Sequence, residues 1–150
     1  MSRRKQIELS PEDQDKFLAE PHTASLATVD KNGFPHVVAM AYLYKDGAIY
    51  MTSYGKAQKV LNVRRNPKVG VMVEAGRNYS ELRGVMIRGN CEVIEDREAV
   101  RMTMRGVAEK EGHVAAVPSG AASSAPKRVV LKVTPLKIAS WDHSKLGGKY

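Results

Sequence analysis

The stretch AIYMTSYGKAQKVLNVRRNPKVGVMVE, Ala48 to Glu74, constrains the fold most, because its pattern changes from strand to helix and back with little chain between. Ala48 to Thr52 is short, apolar and aromatic, which suits a strand. Ser53, Tyr54 and Gly55 break that pattern. Lys56 to Asn66 then has helical spacing, with Ala57, Val60 and Leu61 on one face and Lys56 and Lys59 beside them. Asn66-Pro67 stops the helix, because a residue before proline is pushed out of the α region. Val69 to Val73 returns as a strand. At the join, Thr52 and Ser53 are expected to bring hydroxyls to a helix start, and Gly55 to permit a tight turn. Unpaired amides, the positive end of the helix dipole and two lysines compose a phosphate site. The competing reading is a solvated basic helix.

Composition narrows the partners. The chain has 150 residues, enough for one domain with a real core. Its 24 basic and 16 acidic residues leave a formal charge of +8, which favours an anionic partner. Cys91 is the single cysteine, so no internal disulfide or cysteine-built metal site is expected, and a reducing compartment fits. No apolar run follows the charges of MSRRKQIELS, so no signal peptide is expected. Nothing approaches a membrane span, and a cytoplasmic protein is the expectation.

In chain order, residues 1–8 form a basic tail expected to be flexible, with Ser2 to Lys5 disordered. Ser10 caps a helix that has Pro11 at its first position and Glu12 and Asp13 in its first turn. Phe17 and Leu18 anchor it. Thr23 to Val29 is a strand, and Asp30-Lys31-Asn32-Gly33 a hairpin turn with Asn-Gly supplying positive φ values. Phe34 to Tyr44 is a strand apolar at nearly every position, hence covered on both faces. One face fills the barrel; the other needs a helix, a ligand or a second subunit. Asp46-Gly47 turns the chain into the stretch described first. Ala75 to Ser80 is a polar loop. Leu82 to Glu95 is a long strand in which Gly84 and Gly89 mark a bulge or close contact. Asp96 caps a helix to about Glu111, with Val100, Met104, Val107 and Ala108 on one face. Val114 to Pro126, VAAVPSGAASSAP, is a flexible connection or lid. Arg128 to Ser140 is a strand pair interrupted at Pro135. The whole predicts one α+β domain over 1–150, barrel-like, with about six mainly antiparallel strands and two or three helices.

The common catalytic patterns are absent: no nucleophile elbow, no P-loop, and too few glycines in GKAQKV for a dinucleotide fingerprint. His22, His36, His113 and His143 lack metal-ligand spacing, so no metal site is expected; only His36, in the apolar strand, is placed to face a pocket. Cys91 reads as a small buried hydrophobe. If the chain is an enzyme, a cofactor carries the chemistry.

The order of elements, the two hairpins, TSYGKAQKVLNVRRNP at 52–67, ELRGVMIRG at 81–89 and SWDHSKLGGKY at 140–150 together resemble the pyridoxamine 5'-phosphate oxidase-like superfamily of split β-barrel flavin and deazaflavin proteins. The resemblance covers roughly Phe17 to Leu146. It is closer to the branch that uses the deazaflavin coenzyme F-420, through the Lys-x-x-Asn-hydrophobic-Arg-x-Asn-Pro helix. It implies a split β-barrel and a homodimer with a cofactor, FMN or coenzyme F-420, at each interface site. Thr52 and Ser53 correspond to hydroxyl or amide residues beside the cofactor, and Lys56 and Lys59 to its phosphate-binding positions. The backbone of His36, Val38 and Met40 corresponds to the segment along the flavin ring. Trp141 and Lys145 are similar to a C-terminal Trp and Arg that reach the cofactor, at shorter spacing. Gly84 falls where the oxidases have a glutamine, which argues against strict pyridoxine-phosphate oxidase activity.

The expected function is therefore hydride transfer, through FMN or coenzyme F-420, to a small conjugated or heteroaromatic substrate. No catalytic acid or base is identifiable. The alternative is a non-catalytic flavin, deazaflavin or haem-binding protein on the same fold. Nucleic-acid binding, suggested by the charge, is disfavoured because aromatics are few and the basic residues are dispersed.

Overall fold

A computed structural model describes residues 2–112 and 127–149. Seven strands form one antiparallel sheet: β1 Ala24–Val29, β2 Pro35–Met40, β3 Leu43–Lys45, β4 Ala48–Tyr54, β5 Lys68–Ala75, β6 Arg83–Ile94 and β7 Arg128–Asp142. Four α-helices accompany them: α1 Arg3–Ile7, α2 Pro11–Ala19, α3 Gln58–Arg65 and α4 Arg97–Lys110. The strand order is β2-β1-β5-β6-β7-β4-β3. Strands β2 and β3 therefore lie at opposite ends of the sheet, yet only Ala41 and Tyr42 separate them in the chain. The three residue steps from Met40 to Leu43 span at most about 10 Å, so the sheet must curl until its edges approach. This is the α+β split β-barrel expected, closed at that seam by the covalent chain instead of a ladder.

Side chains that pair across the ladder share a face. The inward rows carry Val38, Leu26, Val71 and Ile87, then Met51, Leu131 and Val133. They join Phe17 and Leu18 of α2 and Val60 and Val63 of α3 in one core. Helix α4 packs outside the barrel, with Val100 against Val130 of β7. Cys91 is buried as expected, and burial, aided by Glu92, pushes its thiol up to about 12.

Several local expectations hold. Ser10 caps α2 by accepting a hydrogen bond from the Asp13 amide at 3.1 Å, and Asp96 caps α4 through the Ala99 amide at 2.9 Å. Asp46 and Gly47 both have positive φ, as a two-residue hairpin turn requires. The ladder between β6 and β7 slips at Arg88/Gly89, which is the bulge expected at Gly89.

Other expectations are corrected. The tail expected to be flexible includes a short helix: Ser2 caps α1, the Leu9 amide donates to Ser140 Oγ at 3.0 Å, and Lys145 Nζ donates to the Glu8 carbonyl at 2.6 Å. The tail thus gains partners from the far end of the chain, which its own composition does not reveal. In the first hairpin only Gly33 has positive φ; Asp30 builds the turn by accepting from the amides of Asn32 and Phe34. Phe34 to Tyr44 is two strands, and β2 alternates exposed and half-buried residues. Its outer face is open in the single chain, with Val37 61% exposed. The last strand pair is one continuous strand, β7, in which the slip at Pro135 is absorbed by an unpaired Leu136. His113 and residues 114–126 lie outside the described residues. No described helix is long and apolar enough to cross a membrane.

Candidate functional site

The end of β4 and the start of α3 differ from the sequence expectation in a way that matters for chemistry. Helix α3 begins at Gln58, so Lys56 lies in the preceding turn and is exposed. Thr52 and Ser53 belong to β4, where successive side chains leave on opposite faces. Ser53 is buried, and its hydroxyl donates to the Tyr54 carbonyl at 3.2 Å. Thr52 is the hydroxyl on the outer face. Ala57 is the N-cap of α3 and supplies no side-chain hydrogen bond. No side chain caps the first turn, in which the Val60 amide donates to the Ala57 carbonyl at 3.0 Å and Lys59 lies beside it.

Asn66 ends α3 as expected, but the inward face differs. Leu61, expected inside, is 47% exposed, whereas Asn62 is fully buried. Asn62 Nδ2 donates to Thr28 Oγ1 at 3.0 Å, and its Oδ1 accepts from Gln58 Nε2 at 2.7 Å. An amide with both ends satisfied can close the barrel end that α3 covers. Arg65 adds a hydrogen bond to the Val29 carbonyl at 2.9 Å, which fastens the helix along β1.

Between the end of β2, the end of β4 and α3 lies a cleft of about 320 Å³. Met40, Thr52, Ser53 and Lys59, four of the residues expected in the site, line it. Tyr54, Val107 and Arg128 line it as well and were not found from sequence. Arg128 arrives because β7 pairs with β4, placing Arg128 opposite Tyr54; its guanidinium lies 4.3 Å from the centre of the Tyr54 ring. Nothing local in the sequence announces that pairing. Strand β2 ends the sheet, so the backbone edge it turns away from β1 has no strand partner among the described residues.

Val107 brings α4 to the cleft, and Lys110 fixes α4 there. Lys110 Nζ donates to the Leu18 carbonyl at 3.0 Å and to the Tyr42 carbonyl at 3.4 Å, and sits 3.3 Å from the centre of the Tyr42 ring. Tyr42 belongs to the two-residue seam and donates its hydroxyl to the same Leu18 carbonyl at 2.8 Å. Burial lowers the Lys110 amine to about 8, with Glu111 opposing the shift, and pushes the Tyr42 phenol above its ordinary range, with Glu20 adding to it.

The remaining expected residues are elsewhere in the chain. His36 and Val38 lie further along β2 on its inward face and do not line the cleft. The Nδ1 of His36 is the one buried side-chain nitrogen or oxygen without a hydrogen-bond partner among the described residues. Lys56 faces a second, adjoining cleft. Trp141 lies over Gly84 near the far end of β7, on the order of 40 Å from Arg128 measured along the strand. Lys145 is held by the Glu8 carbonyl. One chain therefore does not unite Trp141 and Lys145 with Thr52 and Lys59. Among the described residues no cluster of His, Cys, Asp or Glu could hold a metal.

The geometry can be set beside known proteins. The crystal structure of the conserved protein Rv2991 from Mycobacterium tuberculosis superposes with a TM-score of 0.90, at 32% identity, covering 100% of this chain and 95% of that one. An F-420 reductase superposes with a TM-score of 0.70, at 26% identity, covering 86% of this chain and 98% of that one. An FAD-binding protein from Mesorhizobium loti shares the fold, with a TM-score of 0.67, 24% identity, and 88% and 94% of the two chains covered. No curated protein matches the chain. The sequence model described as pyridoxamine 5'-phosphate oxidase matches residues 10–142, and the chain belongs to that family.

Proposed function

We propose that the protein is an oxidoreductase that binds FMN or coenzyme F-420 and transfers hydride to a small conjugated or heteroaromatic substrate. The observation that carries this reading is the cleft itself, where the unpaired edge of β2, Lys59 in the first turn of α3, Thr52 and Arg128 converge. These groups suit an anionic heteroaromatic cofactor. Lys59, at the start of α3, matches a phosphate, and the free edge of β2 offers main-chain donors and acceptors to a ring's carbonyl and N–H groups. When bound, the tricycle supplies the hydride chemistry. The protein's part is placement. Lys59 and Arg128 hold negative charge, Thr52 contributes a hydroxyl, and Met40, Ala41 and Val107 keep water from one wall. The likeness to the F-420 reductase favours this class.

The functional unit in this proposal is a homodimer, which also supplies the missing residues. The outer rows Val37–Ala27–Gly70–Arg88 and Ala39–Ser25–Met72–Met86 are mostly small or apolar, with Arg88 the charged member. Phe34, Val37 and Leu136 extend them, exposed at 70%, 61% and 68%. A second copy seated there would cover this surface and bring Trp141 and Lys145 to the neighbouring cleft.

The test is the spectrum of the purified protein, followed by titration with FMN and with coenzyme F-420. Lys59→Ala is expected to weaken binding about ten- to a hundred-fold, the worth of a charge-assisted phosphate contact. Arg101→Ala, on the outer face of α4, is expected to leave affinity unchanged. Absence of binding for both cofactors would refute the reading, as would full affinity in Lys59→Ala. Substrate reduction by the reduced holoprotein separates catalysis from storage, and sedimentation as a stable monomer at micromolar concentration would remove the dimer.

A further inference from the structure

We infer that Lys110 is a positioning residue for the cofactor cleft: it clamps the wall contributed by α4 to the wall formed by the end of β2 and the seam, so that cofactor retention tightens when its amine gives up a proton. The inference rests on the proposed cofactor reading and adds to it the regulation of that site by pH.

The facing walls come from different elements. Ala39, Met40 and Ala41 form one, and Val107 of α4 belongs to the other. Lys110 follows Val107 by three residues, which places both on one side of the helix. Its Nζ reaches the Tyr42 carbonyl at 3.4 Å, one residue past Ala41, and the Leu18 carbonyl at 3.0 Å. Leu18 lies in the last turn of α2, where carbonyls lack an intrahelical donor, and the Tyr42 hydroxyl donates to the same oxygen at 2.8 Å. One side chain therefore ties α4, α2 and the seam together behind the cleft.

Little else fastens this part of α4. Its buried residues, Val100 and Thr103, both lie in its first half. Gly106 brings the helix against β3, where an added methyl would lie 2.7 Å from Leu43 Cδ2. That close approach is a pivot, and the last turn beyond it depends on Lys110.

The proton has a definite sense. Closing the clamp takes the Lys110 amine out of water and lowers it to about 8, whereas an amine released to solvent returns to 10.5. A bound proton therefore favours release, and its loss favours closure. Neighbouring charges do not reverse this. Glu111 opposes the shift without cancelling it, and Glu20, which acts on Tyr42, is held by Arg83 and His22. Asp15 is bonded to Tyr44, Lys16 to Glu12, and Glu109 to Arg105. From pH 7 to pH 9 the closing constant rises about tenfold, and apparent affinity follows the closed fraction.

The test titrates FMN and coenzyme F-420 into the parent, Lys110→Met and Lys110→Arg at both pH values. The expected result is binding about three- to tenfold tighter at pH 9 than at pH 7 in the parent, beyond any change in the variants, because methionine has no proton to lose and arginine keeps its own. Ionisation of the cofactor is common to all three proteins and cancels. A second measurement needs no variant: the amide NMR signals of Val107 and Tyr42 in the free parent should titrate together, with a midpoint between 8 and 10.5. An equal pH response in the parent and both variants, or Val107 and Tyr42 signals that do not titrate together, would overturn the inference and leave the cofactor reading intact. No binding of either cofactor at either pH would overturn both.

Discussion

Gly84→Ala should destabilise the protein, and the reason is steric. A methyl group at Gly84 would sit 2.5 Å from Trp141 Cζ2, 2.8 Å from Cε2 and 2.8 Å from the Val73 carbonyl oxygen. The backbone φ of Gly84 is not positive, so no conformational strain enters. The indole can tilt away, but the Val73 oxygen belongs to β5, which is paired with both β1 and β6. The methyl therefore has to displace a central strand or β6 itself. Overpacking of this kind costs about 1–3 kcal/mol. Loss of glycine freedom in the unfolded chain returns about 0.4–1 kcal/mol. The net expectation is about 1–2 kcal/mol, or a fall in Tm of roughly 2–8 °C for a chain of this size. Trp141 is the single tryptophan, so its emission reports the displacement directly. Gly33→Ala serves as the contrast. Its methyl meets nothing within 4 Å but inherits φ +83°, so it should cost roughly 1 kcal/mol by strain alone and leave the emission unchanged. A Gly84→Ala protein with parental Tm and emission would refute the steric reasoning.

Lys110 gives a pH dependence of definite sign. Its folded-state amine titrates near 8 and its unfolded amine at 10.5. Between those values the unfolded chain holds more protons, so stability rises with pH across that window relative to Lys110→Met. Discounted for solvent screening of a partly exposed amine, the gain is about 1–2 kcal/mol; parallel denaturation curves for the two proteins at pH 7.5 and 10 would refute it. Asn62→Ala should cost about 2–3 kcal/mol, because the Thr28 hydroxyl and Gln58 amide lose their partner under α3. In urea melts, Thr28→Val with Asn62→Leu should cost less than the sum of the single changes, and strict additivity would contradict the network. Ser10→Ala should cost about 1 kcal/mol by loss of the α2 cap, measured as a shift in denaturation midpoint at constant slope.

The sequence alone determined what short-range chemistry decides. Ser10-Pro11 and Asp96 start helices because a side-chain oxygen meets amides three residues away. Asp46-Gly47 turns because both residues tolerate positive φ. Asn66-Pro67 stops α3 through a clash within a single dipeptide. Part of the candidate site was legible for the same reason, since Thr52, Ser53 and Lys59 are close in the chain. The tertiary structure decided the rest. Helical spacing marks a stripe on α3 but not how that stripe docks, so Leu61 was placed inside, whereas the structure buries Asn62, for which Thr28 supplies a partner. An apolar strand does not state its position in a sheet, and β2 became an edge only because the barrel closes through a two-residue seam. Arg128 reached Tyr54 through a ladder between residues far apart in sequence. Strand pairing at that range is fixed by which hydrophobic faces can be buried together, a property of the whole sheet and not of any local stretch.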